Sequence, residues 1–561
     1  MRIQIKKFGT LLLFCLLAVT KVSAQTLPDS ITKRIDALFT KWNNTSSPGC
    51  AIGIVRNDSL IYAKGYGLAN IEYQVPITPE TIFHMASVSK QFSAYSIVLL
   101  ARQGKLKLDD DIHKYLHWFP DLKQKITIRH LLNHTSGIRD QWQLLAISGT
   151  RLDDVIMQEH IVKLLSKQQA LNFKPGEQYS YSNSGFTMLA EIVRSVTGQT
   201  LRQFTDSAIF KPLGMNNTHF HDDYNEIVKN RAYSYGRKNS NEYFNSILSY
   251  SNAGATSLFT NVTDMAKWIM NLYNPKIGTQ KDIEQLTQKG ILNNGKEQSY
   301  ALGIVVDKYK GWKQYSHSGG DAGYRTYITA FPDLKMGFIV FSNLGNVNTV
   351  GQTYDIVDLF IRDTAAKLSA APAVIDSSKA ILKDVVNARK FAGDYLSDAG
   401  VPFSFKLNDQ ILYWERFGRS DLLLKGGKDT FLVAQSLQVK FVFGTKGKDT
   451  LVNQYWPEGE RLLIKYTLDN NQTQKQLQAY TGTYYSPELD TKYKIVLKEN
   501  KLLLTHNKYE DSKVTLIGKD DLRTDHWWMG HLKMLRNNKN DIAGFEVNDG
   551  RIMHLRFNKI D

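Results

Sequence analysis

Residues 84–90 read His84-Met85-Ala86-Ser87-Val88-Ser89-Lys90, and the pattern beyond them predicts a long helix that starts near Ser87 and is closed by Gly104. Ser87 and Lys90 are three positions apart, so one helical turn puts both side chains on one face. When Ser87 attacks a substrate carbonyl, negative charge develops on the carbonyl oxygen, and a helix N-terminus favours that charge. A Lys90 amine held neutral by burial could accept the Ser87 proton. The segment therefore predicts a serine nucleophile, although Ser-x-x-Lys alone also arises by chance.

Two elements downstream offer partners for this serine. Residues 179–185 contain Tyr181, a candidate proton carrier, and Asn183, whose amide can grip a substrate carbonyl. Residues 317–320, His-Ser-Gly-Gly, end a predicted strand. There His317 can handle protons, Ser318 offers a hydroxyl, and the two glycines let a substrate lie close to the backbone.

In order and spacing, these three elements resemble the Ser-x-x-Lys, Ser-x-Asn or Tyr-x-Asn, and Lys-Thr-Gly set of the penicillin-recognising serine enzymes. The resemblance is closest to the class C β-lactamase-like family, which includes serine D-Ala-D-Ala carboxypeptidases, D-aminopeptidases and related esterases. Further segments similar to that family extend the match across residues 30–360: residues 79–83, 104–110, 131–137, 212–215 and 254–258.

The resemblance implies a role for each of these residues. Ser87 is the acylated nucleophile, while Lys90 and Tyr181 share the general-base and general-acid work in an order left open. The backbone N–H groups of Ser87 and Gly320 form the oxyanion hole. The implied substrate contacts are Asn183, His317, Ser318 and Gly319. No metal or organic cofactor is implied.

His317 departs from the pattern, because the β-lactamases have Lys at this position. A cation that could hold a substrate carboxylate is then present only if the imidazole is protonated. This favours a carboxypeptidase, D-aminopeptidase or esterase over an efficient β-lactamase. Arg325 could supply a replacement charge, or could be a salt-bridged strand residue.

Other chemistries fit the sequence less well. His130 and His134 have the i, i+4 spacing of a zinc site, but they lack the Glu of His-Glu-x-x-His, so we predict no metal site. There is no Gly-x-Ser-x-Gly elbow of the α/β-hydrolases. The formal charge of +16 comes with no run of five Lys or Arg, so nucleic acid is not an expected partner.

The element order predicts an α/β (α+β) fold. A helix and a hairpin at the start, a helical middle region and late strands fit an antiparallel sheet flanked by helices, with an inserted helical subdomain. We assign residues 25–365 to this β-lactamase/transpeptidase-like domain and residues 366–385 to a linker.

Beyond the linker the pattern is almost all strand and turn. Residues 391–395 (Phe-Ala-Gly-Asp-Tyr) match residues 480–484 (Tyr-Thr-Gly-Thr-Tyr), which indicates a repeat of about 90 residues. We predict two barrel-like β units, at residues 386–470 and 471–561, which resemble the lipocalin-like domains of some family members. As a hypothesis, this region restricts access to the cleft or contacts the substrate.

The N-terminus predicts export. A basic start, an apolar stretch at residues 8–20 and Val22-Ser23-Ala24 form a secretory signal, expected to be cleaved after Ala24. Nothing later is long and apolar enough for a transmembrane span. We expect a periplasmic or extracellular protein.

The predicted function is an exported serine hydrolase that acts through an acyl-enzyme on Ser87. Its expected substrates are small peptides, amides or esters, with D-amino-acid-containing and peptidoglycan-derived cell-wall peptides favoured. The alternatives are a β-lactamase, an esterase, an acylation-based binding or sensor protein, and an adhesin whose tail binds cell-wall material. The sequence does not indicate an oligomeric state.

Overall fold

The computed structural model describes residues 27–239, 242–361, 388–397, 402–409, 411–416, 419–434, 436–447, 449–456, 459–466 and 472–561. The predicted signal at residues 1–24 and the predicted linker at residues 366–385 lie outside these residues. None of the described helices is long and apolar enough to cross a membrane.

The N-terminal part of the described chain combines one main sheet with many helices. Its helices are α1 Asp29–Leu38, α2 Lys90–Arg102, α3 Ile128–Leu132, α4 Gln141–Ile147, α5 Gln158–Leu165, α6 Asn183–Thr197, α7 Leu201–Thr205, α8 Lys211–Leu213, α9 Val262–Asn271, α10 Gln280–Leu286 and α11 Thr349–Val357. Its strands are β1 Cys50–Arg56, β2 Ser59–Tyr66, β3 Leu68–Asn70, β4 Val75–Pro76, β5 Phe83–His84, β6 His219–Phe220, β7 Tyr235–Arg237, β8 Tyr243–Asn245, β9 Leu258–Thr260, β10 Val305–Tyr309, β11 Trp312–Asp321, β12 Tyr324–Phe331 and β13 Met336–Ser342.

The main sheet is antiparallel, with strand order β10-β11-β12-β13-β1-β2. Successive residues of a strand face opposite sides, so β1 supplies both faces. Ile52 and Ile54 pack with α1 and α11, whereas Ala51 and Val55 join the core that contains α9 and the inserted helices. This arrangement confirms the predicted fold class.

Helix α2 lies in the middle of the helical part. Eleven of its thirteen residues are buried, from Lys90 to Leu100, which is why its pattern is apolar on nearly every side. The helix ends just before Gly104, whose φ of +71° suits glycine. The segment that carries Ser87 therefore leads into a helix that is buried on nearly every side.

The C-terminal region forms two closed barrels of eight strands each. The first contains β14 Gly393–Ser397, β15 Pro402–Asn408, β16 Ile411–Arg416, β17 Arg419–Lys425, β18 Thr430–Val433, β19 Ser436–Lys446, β20 Asp449–Trp456 and β21 Gly459–Tyr466. A short helix, α12 Gln474–Gln478, precedes the second, which contains β22 Gly482–Ser486, β23 Thr491–Lys498, β24 Lys501–His506, β25 Tyr509–Gly518, β26 Asp521–Thr524, β27 His531–Arg536, β28 Ile542–Asp549 and β29 Ile552–Lys559.

The internal repeat marks the same place in both barrels. Tyr395 on the first strand of one barrel donates a hydrogen bond to Phe391 O, and Tyr484 on the first strand of the other donates to Tyr480 O. The all-β prediction and the repeat are thus confirmed as two copies of one barrel.

The two barrels differ in how they meet the rest of the chain. Buried side chains of the second barrel belong to the same apolar cluster as the helical part of the N-terminal domain, whereas the first barrel has a cluster of its own. The second barrel is therefore packed as part of the domain that carries Ser87.

Candidate active site

The turn that carries Ser87 is strained and tightly held. Ala86 has a left-handed φ of 49°, which costs an alanine roughly 1–2 kcal/mol. The Ser89 hydroxyl donates to Ala86 O at 2.6 Å and accepts from Leu258 N at 3.0 Å, which ties the turn to β9. Residues 86–89 form a 3₁₀ turn that runs into α2. Ser87 therefore stands half-buried at the N-terminal end of a helix.

The Lys90 amine is fully buried and contacts Ser87. Its Nζ lies 3.2 Å from Ser87 Oγ, 2.8 Å from Asn183 Oδ1 and 2.7 Å from Ala255 O. Burial lowers the pKa of Lys90 well below its usual value, although the carboxylate of Asp140 acts in the opposite direction. A neutral amine has two N–H groups and one lone pair. If the two carbonyl oxygens accept both of these hydrogens, the lone pair of a neutral Lys90 faces the Ser87 hydroxyl.

Asn183 bridges Lys90 to a buried carboxylate. Its Nδ2 and its backbone N–H both donate to Asp140 Oδ2, at 2.7 and 2.8 Å, while its Oδ1 accepts from Lys90. Asp140 is almost completely buried at the N-cap of α4, where its other oxygen accepts from Trp142 N. Asn183 thus orients the amine as well as lining the pocket.

Tyr181 is positioned by the turn at residues 131–137. His134, in a left-handed conformation, accepts from Ser180 N with its carbonyl and from Ser182 N with Nδ1. Its ring also packs on the ring of Tyr181, with centroids 4.2 Å apart. Lys90 Nζ lies 4.8 Å from the Tyr181 ring centroid, so the tyrosine covers the buried amine.

His317 lines the pocket but is not a cation there. Its Nε2 is 2.9 Å from the Tyr300 hydroxyl and its Nδ1 is 2.6 Å from Ser318 O. Burial is the main cause that lowers the pKa of His317 to about 3. In the neutral ring, Nδ1–H donates to Ser318 O and Nε2 accepts from Tyr300. The imidazole therefore cannot supply a charge at neutral pH for a substrate carboxylate.

The rest of the His-Ser-Gly-Gly segment alternates along β11. Ser318 and Gly320 are exposed toward the pocket, whereas Gly319 is buried. A Cβ on Gly319 would lie only 2.3 Å from both Met85 O and Thr326 Oγ1. The structure therefore places Gly319 against the turn before Ser87, outside the residues that line the pocket, and its expected role as a substrate contact stays a prediction.

The pocket that results has a volume of about 470 Å³. It brings together these residues of the three sequence motifs: Ser87, Tyr181, Asn183, His317, Ser318 and Gly320. Arg325 does not line this pocket. Its Nη1 donates to Ala322 O and Tyr324 O, so it braces the turn between β11 and β12.

Sequence reasoning missed three charged residues around this pocket. Asp140 accepts hydrogen bonds from Asn183. Asp321, whose pKa is raised by burial, accepts a hydrogen bond from Thr256 Oγ1 at 2.8 Å. Arg551 reaches the pocket from the second barrel. The signal available for Asp140 was a charged pair in an otherwise uncharged run after residues 131–137. Nothing in the local sequence marks Arg551.

The histidines considered as metal ligands have structural roles. His130 Nδ1 accepts from Thr127 N in a capping box of α3, and His134 Nδ1 accepts from Ser182 N. Within the described part of the chain, one other group could hold a metal, namely His219, His221 and Glu226. Arg202 already donates to both oxygens of that carboxylate at 2.6 Å, so we assign no metal to it.

Comparison with known proteins gives a consistent identification. The sequence profile of the family described as Beta-lactamase matches residues 33–359. Penicillin-binding protein 4* of Bacillus subtilis is 26% identical over 441 residues, which cover 73% of this chain and 94% of that protein. D-aminopeptidase of Brucella ovis is 26% identical over 307 residues, 54% of this chain and 58% of its own length.

A solved structure shows the same fold. The octameric penicillin-binding protein homologue from Pyrococcus abyssi superimposes with a TM-score of 0.54 at 24% identity, covering 77% of this chain and 99% of that one. The chain belongs to the β-lactamase family and is a serine hydrolase, which confirms the resemblance found in its motifs.

Proposed function

We propose that the protein hydrolyses peptide, amide or ester bonds through an acyl-enzyme on Ser87, with D-amino-acid-containing peptides as its favoured substrates. The observation that carries the proposal is the environment of Lys90. Two carbonyl oxygens accept its N–H groups, and the third contact is the Ser87 hydroxyl. This arrangement suits a neutral amine that takes the serine proton.

Acylation follows from this geometry. Ser87 Oγ attacks the substrate carbonyl carbon, a C–O bond forms, and the Oγ proton passes to Lys90 Nζ. The backbone N–H groups of Ser87 and Gly320 stabilise the oxyanion. When the tetrahedral intermediate collapses, the bond to the leaving group breaks and the leaving group takes up a proton through Tyr181 or Lys90.

Deacylation reverses these roles. A water molecule replaces the leaving group. The pair of Lys90 and Tyr181 takes one proton from this water, and the resulting hydroxide attacks the acyl carbon. The bond to Ser87 Oγ breaks, and the serine recovers its proton as the acid product leaves.

The substrate class is proposed from the pocket and the relatives. A volume of about 470 Å³ holds a small acyl group and leaving group, within the range of small-molecule sites. The neutral His317 lacks the fixed charge expected at that position of a β-lactamase, and one relative is named as a D-aminopeptidase. We also propose export, supported by the sequence pattern of residues 1–24.

The test compares D- and L-alanine p-nitroanilide and benzylpenicillin, with intact-protein mass followed beside product release. We expect Ser87-dependent turnover that is faster for the D-anilide than for the L-anilide, and no turnover by Ser87→Ala. Equal rates for the variant and the wild type would overturn the serine mechanism. A preference for the L-anilide would overturn the stereochemical part, and a lasting adduct without product would identify a sensor.

A further inference from the structure

The turn between β28 and β29 of the second barrel is held against the catalytic domain. Gln143 Oε1 accepts from Arg551 N at 3.0 Å, and Gln143 Nε2 donates to Asp549 O at 2.8 Å. Asn172 Nδ2 donates to Arg551 O at 2.9 Å, and Asn172 Oδ1 accepts from Met553 N at 2.7 Å. Two amide side chains thus fix the backbone on both sides of Arg551.

This turn delivers the Arg551 guanidinium to the wall of the Ser87 pocket. The guanidinium carbon lies 4.7 Å from the centroid of the Tyr181 ring, a cation–π distance. Its Nη1 forms an ion pair with the buried carboxylate of Asp140 at 3.6 Å, a distance longer than a hydrogen bond. Among the described residues, none accepts a hydrogen bond from this guanidinium, and the side chain is 46% exposed.

In the described part of the chain, Arg551 shares the pocket wall with one carboxyl group, Asp321, whose pKa is raised by burial. Among the described residues that line the pocket, Arg551 is the one lysine or arginine. Both nitrogens of His317 are already engaged, by Tyr300 and by Ser318 O, so they are not offered to a ligand. A guanidinium with N–H groups facing such a pocket is suited to bidentate recognition of a carboxylate.

We propose that Arg551 binds a carboxylate on the leaving group of the substrate, so that the second barrel supplies a specificity-determining residue of the active site. The leaving-group side is inferred from the stacking on Tyr181, which is one of the two residues that can pass a proton to the leaving group in the proposed mechanism. The inference rests on the proposed acyl-enzyme function.

The test uses two thioesters with the same acyl group. One is the benzoylglycyl thioester of mercaptoacetic acid, and the other is the benzoylglycyl thioester of mercaptoacetamide. Both give the same acyl-enzyme, so a difference in kcat/KM reports on acylation alone. The full chain is used as wild type, Arg551→Gln, Arg551→Lys and the control Arg556→Gln, which alters an exposed arginine of the same barrel.

We expect the wild type and Arg556→Gln to prefer the carboxylate thioester by about tenfold or more, because hydrogen bonds to charged groups contribute this much. Arg551→Gln should lose the preference mainly through KM, and Arg551→Lys should keep part of it. A wild type without preference, an unchanged preference in Arg551→Gln, or an equal loss on both thioesters would overturn the inference. The proposed function fails separately, if neither thioester gives a Ser87-dependent benzoylglycyl adduct or Ser87-dependent turnover.

Discussion

Arg139 of the catalytic domain and Glu488 of the second barrel form an ion pair of 2.7 Å, with side chains 0% and 4% exposed. Arg139 also donates to Met553 O and His554 O, beyond the turn that carries Arg551. A buried pair tolerates the loss of one partner poorly, because an unpaired charge is then left out of water. The ion pair and hydrogen bonds of Arg139 therefore hold the second barrel against the segment of the catalytic domain that leads into Asp140.

Replacing Glu488 by Gln should lower the free energy of unfolding by about 3–5 kcal/mol, because Arg139 is left buried without a counter-charge. Urea unfolding of the full chain measures the change. The matched control is Glu460→Gln, which breaks the exposed pair with Lys296 and should cost less than about 1 kcal/mol. Equal effects of the two substitutions would show that the buried pair does not hold the barrel.

Replacing Lys90 by Met should change how stability depends on pH. The pKa of Lys90 is lowered in the fold, so between that value and about 10.4 the unfolded chain binds one more proton than the native protein. Wild-type stability should therefore rise with pH relative to the variant, by up to about 1.4 kcal/mol per pH unit. Urea unfolding at pH 7 to 10 measures this slope. A difference that stays constant with pH would mean that Lys90 is protonated in the fold. Lys105→Met, at an exposed lysine, is the matched control.

Replacing Asp140 by Asn should slow acylation and move the acid limb of the kcat/KM profile to lower pH. The negative charge of Asp140 raises the pKa of Lys90, so its loss lowers that pKa further. Asn183 also loses a carboxylate that accepts two of its N–H groups, and we expect a fall of about tenfold or more in kcat. An acid limb that stays in place would assign the titration to another group. Asp154→Asn, at an exposed position, is the control.

Replacing Gly319 by Ala should impair folding and activity together. The added Cβ would lie 2.3 Å from Met85 O and Thr326 Oγ1, so β11 must move away from the Ser87 turn. Overpacking of this kind costs about 1–3 kcal/mol. Thermal unfolding and thioester turnover report the two effects. Gly444→Ala, where a Cβ would meet nothing within 4 Å, should change neither, and wild-type behaviour of Gly319→Ala would contradict the packing role.

The sequence alone predicted the residues that lie close to one another in motifs, and the structure gathers most of them into one pocket. Ser87 and Lys90 are separated by one helical turn, so local periodicity was enough to pair them. The alternation along β11 could in principle have shown that Gly319 faces inward, but the expectation treated both glycines alike.

Long-range partners could not be predicted in the same way. Arg551 reaches Tyr181 only because Gln143 and Asn172 hold a barrel turn in place, and such contacts leave no periodic pattern in either segment. The neutral state of His317 likewise depends on burial, and its Nε2 lies 2.9 Å from the Tyr300 hydroxyl, which comes from another segment of the chain. Both properties arise from tertiary structure and not from local sequence.

The shared apolar cluster of the catalytic domain and the second barrel has a consequence for biosynthesis. Ribosomes make Ser87, Lys90 and Tyr181 well before Arg551. A nascent chain therefore carries these three residues before the part of the pocket wall that Arg551 provides has been made. A nicked or prematurely terminated chain would keep the reactive serine in an open cleft and expose the helical surface that the barrel covers. The apolar core and the pocket wall are thus complete only once the second barrel has been made.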